Sequence, residues 1–178
     1  CAKRGSKVLG LDRFPPGHDR GSSHGESRVI RRSYFEHADY VPLLNLAYDL
    51  WGELEQTRNE PFLHRTGVVY FGPQDGVVLR GVLKSADDHQ LVVEKISADD
   101  SRRRFPGYVV PPEAGVLFEA DAGYLEVEKC VCAQIKEAVQ MGAVHHHGET
   151  VLRWAAGDNS VVVETYSNTY TASRLVIA

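Results

Sequence analysis

Cys1-Ala2-Lys3-Arg4-Gly5-Ser6-Lys7-Val8-Leu9-Gly10-Leu11-Asp12 is the stretch from which the fold is read. Lys3 and Arg4 put positive charge at the carbonyl end of a helical turn, and Gly5 supplies a left-handed stop. Ser6 to Leu11 then alternates apolar with small or polar residues and runs into Asp12, a strand that ends in a carboxylate. Helix, Gly, strand, Asp is the second half of a βαβ unit whose first strand, with its Gly-x-Gly-x-x-Gly turn, would precede Cys1. Val139-Gln140-Met141-Gly142-Ala143-Val144 repeats the joint. Two joints predict two βα units feeding one parallel sheet, with the strands between them forming an inserted layer. Such joints occur in any α/β protein, so the echo alone names no fold. Arg174-Leu175-Val176-Ile177-Ala178 reads as a buried parallel strand, and both ends therefore read as those of a piece of a larger protein.

Between these ends the periodicity places further elements. Tyr40 to Gln56 sets Val41, Leu44, Tyr48, Trp51 and Leu54–Glu55 on one face of a helix, with Leu50 filling the same face. Leu125 to Met141 is a second amphipathic helix with Val127, Val131, Ile135, Ala138 and Val139 inward. Gly67 to Gly72, Leu91 to Ile96 and Gly115 to Glu119 read as strands, Val77 to Ser85 as a short helix and Asp99 to Phe105 as a helical turn. Val151–Trp154 and Ser160–Thr165 read as a hairpin closed by Gly157-Asp158-Asn159. Phe14 to Gly25 is a loop.

Composition narrows the function classes. With 43% hydrophobic and 25% charged residues in 178, the chain is neither disordered nor fibrous. No run approaches the roughly 20 apolar residues of a membrane span, and no signal peptide is expected from the amino end. Three cysteines give no disulfide framework and favour a reducing, intracellular setting. Charge is uneven: residues 1–35 carry eight Lys/Arg against three acids, and the remainder twelve against twenty-one. A basic front on an acidic body points to an anion, and without an aromatic stacking platform the anion is a cofactor phosphate or small acid rather than nucleic acid.

Several groups could carry chemistry. Asp12 at a strand end either accepts hydrogen bonds from ribose hydroxyls or is a solvated carboxylate. Arg20-Gly21-Ser22-Ser23-His24-Gly25-Glu26-Ser27-Arg28-Val29-Ile30-Arg31-Arg32-Ser33-Tyr34 offers backbone N–H groups and hydroxyls to an anion. Arg28, Arg31 and Arg32 would share one face of a helical turn, either around an anion or as a surface cluster paired with Glu26, Glu36 and Asp39. His145-His146-His147 lacks the further ligands a closed metal site needs, and Cys130-x-Cys132 points its thiols apart on a helix, so no metal is expected.

The same residues carry a resemblance. Gly5-Ser6-Lys7-Val8, Asp12, Pro15-Pro16 and the run from Arg20 to Tyr34 closely resemble the sarcosine oxidases, FAD-dependent amine oxidases of the D-amino-acid-oxidase-like superfamily. Tyr40-Val41-Pro42-Leu43, Leu50-Trp51, Arg65-Thr66-Gly67-Val68, Arg104-Phe105-Pro106-Gly107 and Tyr170-Thr171-Ala172 extend the match. It covers the whole chain but less than half of a typical member. The Gly-Ser-x-His-Gly-x-Ser-Arg-x-Ile-Arg segment is its specific part.

The resemblance implies an α/β fold with α+β elements: a partial FAD-binding Rossmann-like domain (1–60 and 123–178) carrying an inserted antiparallel sheet of the substrate domain (61–122). It implies that Asp12 and Arg13 meet the adenosine ribose, and that Ser22, Ser23 and His24 line the pyrophosphate and flavin. Arg28 and His24 would be the catalytic groups, with Val29 offering its backbone to the flavin and Val151 meeting the adenine. Arg31 would grip the substrate carboxylate and Tyr34 would border the pocket. The implied partners are a secondary amino acid such as sarcosine or L-pipecolate, and dioxygen, reduced to hydrogen peroxide. Ser23-His24, where bacterial monomeric members have two histidines, looks more like the animal peroxisomal branch. N-methyltryptophan or glycated amino acids are alternative substrates, and a non-catalytic FAD- or anion-binding module is the alternative from another class. The fragment by itself is expected to be inactive.

Overall fold

A computed structural model describes all 178 residues. A 3-10 turn (Ala2–Arg4) is followed by β1 (Leu9–Asp12), β2 (Arg28–Ile30) and a second 3-10 turn (Ala38–Tyr40). Then come α1 (Val41–Arg58), β3 (Leu63–His64), β4 (Val68–Gly72), α2 (Val77–His89), β5 (Glu94–Ile96) and α3 (Ala98–Arg104). The chain continues through β6 (Gly115–Glu119), β7 (Gly123–Leu125), α4 (Val127–Gln140) and β8 (Val144–His147). It ends in β9 (Val151–Ala156), β10 (Val161–Thr165) and β11 (Thr169–Ala172). Two compact units result, one of residues 1–26 with 127–178 and one of residues 27–126. The β2–β7 pairing lies inside the second of these units.

In the first unit both Gly joints form. Gly5 adopts φ 78° after the first 3-10 turn and Gly142 φ 88° after α4, each a turn that lacks a Cβ penalty. The strands they release, β1 and β8, pair in parallel with Leu9 opposite Val144 and Asp12 opposite His147. Beside them β9, β10 and β11 form an antiparallel sheet in that order. Val161, Val163 and Thr165 alternate inward on β10, as a half-buried strand requires.

The second unit holds two antiparallel three-stranded sheets, β2-β7-β3 and β4-β6-β5. Its core gathers Tyr70, Leu79, Val82 and Leu117, where α2 packs on β4 and β6. Pro42 in the first turn of α1 and Asn59 in the left-handed conformation (φ 49°) bound that helix.

Three expectations are corrected. Leu50 does not share the inward face of α1: Val41 and Tyr48 are buried, while Leu50 is exposed with Leu43 and Leu46. The 3.6-residue period sets Leu50 four positions from Leu46 and seven from Leu43, on their side of the helix. Arg174–Ala178 forms no strand, and Val176 is 83% exposed, because no strand of this chain pairs with it. Arg28, Arg31 and Arg32 do not share a helical turn, because Arg28 lies on β2 and pairs with Leu125. No helix is long and apolar enough to cross a membrane, and no cluster of three or more His, Cys, Asp or Glu is arranged to hold a metal ion.

Candidate functional site

The residues singled out from sequence divide between the two units. Asp12, Arg13, Ser22, Ser23, His24 and Val151 lie on the first, and Arg28, Val29, Arg31 and Tyr34 on the second.

In the first unit Asp12 closes β1. Its Oδ1 accepts a hydrogen bond from the Phe14 amide at 2.9 Å, and its backbone carbonyl accepts one from the Glu149 amide at 3.0 Å. The first bond turns the chain out of the strand, as a short acceptor side chain does at an element end. Oδ2 has only His18 Nε2 near it, at 3.7 Å, so acceptor capacity is left for a ligand hydroxyl. The Arg13 guanidinium lies over the Phe14 ring at 5.3 Å, and Val151 starts β9 half-exposed. Ser22, Ser23 and His24 sit on an exposed loop whose far end is tethered by a bond from the Gly25 amide to Glu128 Oε1, 2.9 Å. Gly25 has φ 95°, which only glycine adopts without strain. His145 and His147 stack at 6.3 Å on one face of β8.

The second unit presents the basic segment. Val29 is 58% exposed on β2, whereas Ile30 is buried, the alternation of an edge strand with one wet face. Beyond Ile30 the two arginines diverge. The Arg31 guanidinium stacks on the Tyr34 ring at 4.6 Å, and its Nη2 lies 3.3 Å from Glu36 Oε1. Arg31 Nε is buried without a hydrogen-bond partner, as is Arg32 Nε. Arg32 turns the other way: Nη1 donates to Asn45 Oδ1 at 2.8 Å, Nε lies 3.0 Å from Asp121 Oδ2, and the guanidinium covers Tyr48 at 4.2 Å. Arg65 also pairs with Asp121 and faces the same tyrosine ring at 5.4 Å. Arg31 thus pairs with Glu36, while Glu26 and Asp39 are not among the ion pairs of Arg31 and Arg32.

Glu119 and its partner Tyr70 escaped the sequence. Glu119 ends β6 and is 2% exposed, yet it accepts from the Arg32 amide at 2.7 Å, the Ser33 amide at 3.2 Å, the Ser33 hydroxyl and the Tyr70 hydroxyl at 3.0 Å. Burial pushes the Tyr70 phenol above its ordinary range, and the adjacent Glu119 charge adds to this against the bond from Ser33. Tyr48 is likewise pushed up to about 12, first by burial and then by Glu119 and Asp121, with Arg32 and Arg65 opposing. The only sequence signal for Glu119 is an acid closing the apolar run Val116-Leu117-Phe118.

The model of the FAD dependent oxidoreductase family, DAO, matches residues 1–178. The chain belongs to that family. Among curated relatives, the monomeric sarcosine oxidase of Streptomyces avermitilis is 41% identical over 174 residues, 98% of this chain and 45% of that protein. The N-methyl-L-tryptophan oxidase of Salmonella arizonae is 39% identical over 178 residues, all of this chain and 48% of that protein. The chain thus spans about half the length of the curated relatives it matches. Among solved structures, the open form of NikD, described as an unusual amino acid oxidase essential for nikkomycin biosynthesis, superposes with a TM-score of 0.86 at 28% identity, over 97% of this chain and 44% of that one. The glycine oxidase of Geobacillus kaustophilus, at 16% identity and TM-score 0.78, shares the fold. These relatives agree with an α/β fold that carries antiparallel sheets.

FAD, the family's cofactor, is fitted by the donors and acceptors of this chain. The Oδ2 lobe of Asp12, 3.7 Å from His18 Nε2, has acceptor capacity for a ribose hydroxyl, and the exposed Gly-Ser loop with its positive-φ glycine suits the close approach of a pyrophosphate.

Proposed function

We propose that this chain is part of a flavin-dependent oxidase of secondary amino acids. Asp12, Arg13, Ser22, Ser23, His24, Arg28, Val29 and Val151 hold FAD, and Arg31 and Tyr34 hold the substrate. The single observation that carries the substrate assignment is Arg31: a guanidinium stacked on Tyr34 and already paired with a carboxylate, Glu36. A planar fork of donors is the group best matched to a carboxylate, and the aromatic face keeps it oriented.

The chemistry FAD supplies when bound is acceptance of a hydride equivalent from the carbon next to nitrogen, with the electrons passing to dioxygen as hydrogen peroxide. The residues of this chain orient the amine by its carboxylate and place positive charge from Arg28 near the centre where negative charge develops. His24, the other catalytic candidate, offers an imidazole that can hold or pass a proton. Hydrolysis of the resulting imine releases the smaller amine and a carbonyl compound.

Sarcosine-sized N-methyl amino acids fit the names of the relatives best, with N-methyltryptophan as the second reading. L-pipecolate and a peroxisomal location rest on Ser22-Ser23-His24 alone.

In the full-length protein, Arg31→Ala should weaken binding of methoxyacetate, an unreactive oxygen analogue of sarcosine, by about 10- to 100-fold. That is the range of a lost charge-assisted hydrogen bond pair. Titration of the flavin absorbance reads the affinity, and an unchanged value would remove Arg31 from the substrate. Asp12→Ala should lower the flavin-to-protein ratio after dialysis; full retention would remove Asp12 from the cofactor.

A further inference from the structure

The carboxylate of Glu119 is buried, at 2% exposure, and burying a charge is costly unless it is hydrogen-bonded. All four of its donors are neutral, and three of them belong to Arg32 and Ser33. Those two residues lie between Arg31 and Tyr34. The next residues along are fixed as well. The Ser85 hydroxyl on α2, almost fully buried, donates to the Tyr34 carbonyl. The Phe35 carbonyl occupies the space beside Gly81, where a Cβ would stand 2.1 Å from that oxygen. Residues 32 to 35 are thus clamped from β6 and α2, while the side chains of Arg31 and Glu36 flank the clamped stretch and pair with each other.

We propose that Glu119 is a positioning residue for the substrate anchor. By fixing the amides of Arg32 and Ser33 it sets the backbone from which Arg31 and Tyr34 project, and so sets affinity for the substrate carboxylate without contacting it. A displacement of the anchor by a fraction of an ångström is enough to cost binding, since a bidentate fork tolerates little misalignment. Glutamine at 119 retains one good acceptor but turns an NH2 toward a donor, which loosens the clamp while preserving volume. The proposal rests on Arg31 as the carboxylate anchor.

The test uses the full-length flavoprotein, with methoxyacetate affinity read from the flavin spectrum and KM and kcat measured with sarcosine. Glu119→Gln should raise the methoxyacetate Kd by about tenfold, with KM carrying most of the kinetic loss and the flavin content unchanged. In the Arg31→Ala background the same substitution should add less than about twofold, because its effect passes through Arg31. An unchanged Kd in Glu119→Gln, or an equal loss with and without Arg31, overturns the positioning role. An unchanged Kd in Arg31→Ala alone instead overturns the anchor, so the two failures are told apart. Ser85→Ala, which leaves the buried carboxylate in place, should weaken methoxyacetate by about threefold; if Glu119→Gln does not fold, no change in this variant overturns the clamp.

Discussion

Arg31 Nη2 lies 3.3 Å from Glu36 Oε1 and 3.4 Å from Oε2, so the proposed carboxylate anchor already faces a carboxylate five residues further along its own segment. A substrate must share or displace that partner. The competition is between two carboxylates for one fork, and it sets the sign of the first prediction.

Glu36→Gln should tighten methoxyacetate binding by up to about fivefold. The Glu36 side chain is 42% exposed, and such pairs contribute about 0–1 kcal/mol. The gain should shrink as salt is raised from 0.05 to 0.5 M, since screening weakens the pair that the variant removes. A loss of affinity would show that Glu36 supports the anchor instead of competing with it.

Gly81→Ala tests the packing of the same segment from the helix side. The added methyl meets the Phe35 carbonyl, a backbone atom that cannot rotate away, so the cost should be that of overpacking, about 1–3 kcal/mol. Chemical denaturation of the full-length protein should show a lower midpoint. Gly52→Ala, on α1 with open space around it, should be neutral or slightly stabilising.

The high-pH limb of stability should report Tyr48. Its phenol ionises at 10.0 in an open chain and at about 12 when folded. Below pH 10 both states hold the proton and the contribution is constant. Between 10 and 12 the unfolded chain releases it first, so stability falls with rising pH by about 1.4 kcal/mol per unit, roughly 2–3 kcal/mol in all. Tyr70 is shifted in the same direction and adds to the slope. The Tyr48→Phe protein should therefore lose less stability between pH 9 and pH 11 than the parent, as read from urea midpoints. Equal losses would mean that Tyr48 ionises in the folded protein as it does in the open chain.

Local rules made much of the fold legible. Gly5 and Gly142 each stop a helical turn by backbone geometry that no other residue adopts cheaply, and the parallel pairing of β1 with β8 follows from the strands they release. The hairpin of β9 and β10 was equally readable, because two largely apolar arms and a Gly-Asp-Asn turn lie within fifteen consecutive residues. The spacing of Arg28, Arg31 and Arg32 misled for a related reason. Helical spacing is informative only on a helix, and pairing of Arg28 with Leu125, 97 positions away, makes that residue part of a strand.

By itself, then, the sequence determined the backbone signals: which residues turn, which alternate, and which positions match the oxidase motif. Whether Arg31 faces Glu36 while Arg32 faces Asp121, and whether Glu119 is a surface acid or a buried acceptor, was decided only when β6 packed beside the segment after β2. The bond from the Arg32 amide to Glu119 spans 87 residues, and Ser85 reaches Tyr34 across 51. Turn and strand preferences act over a few bonds and are encoded where they act. Hydrogen-bond partners this far apart in the chain are chosen by which surfaces the folded core brings within 3 Å of each other, and no local window contains both halves of that choice.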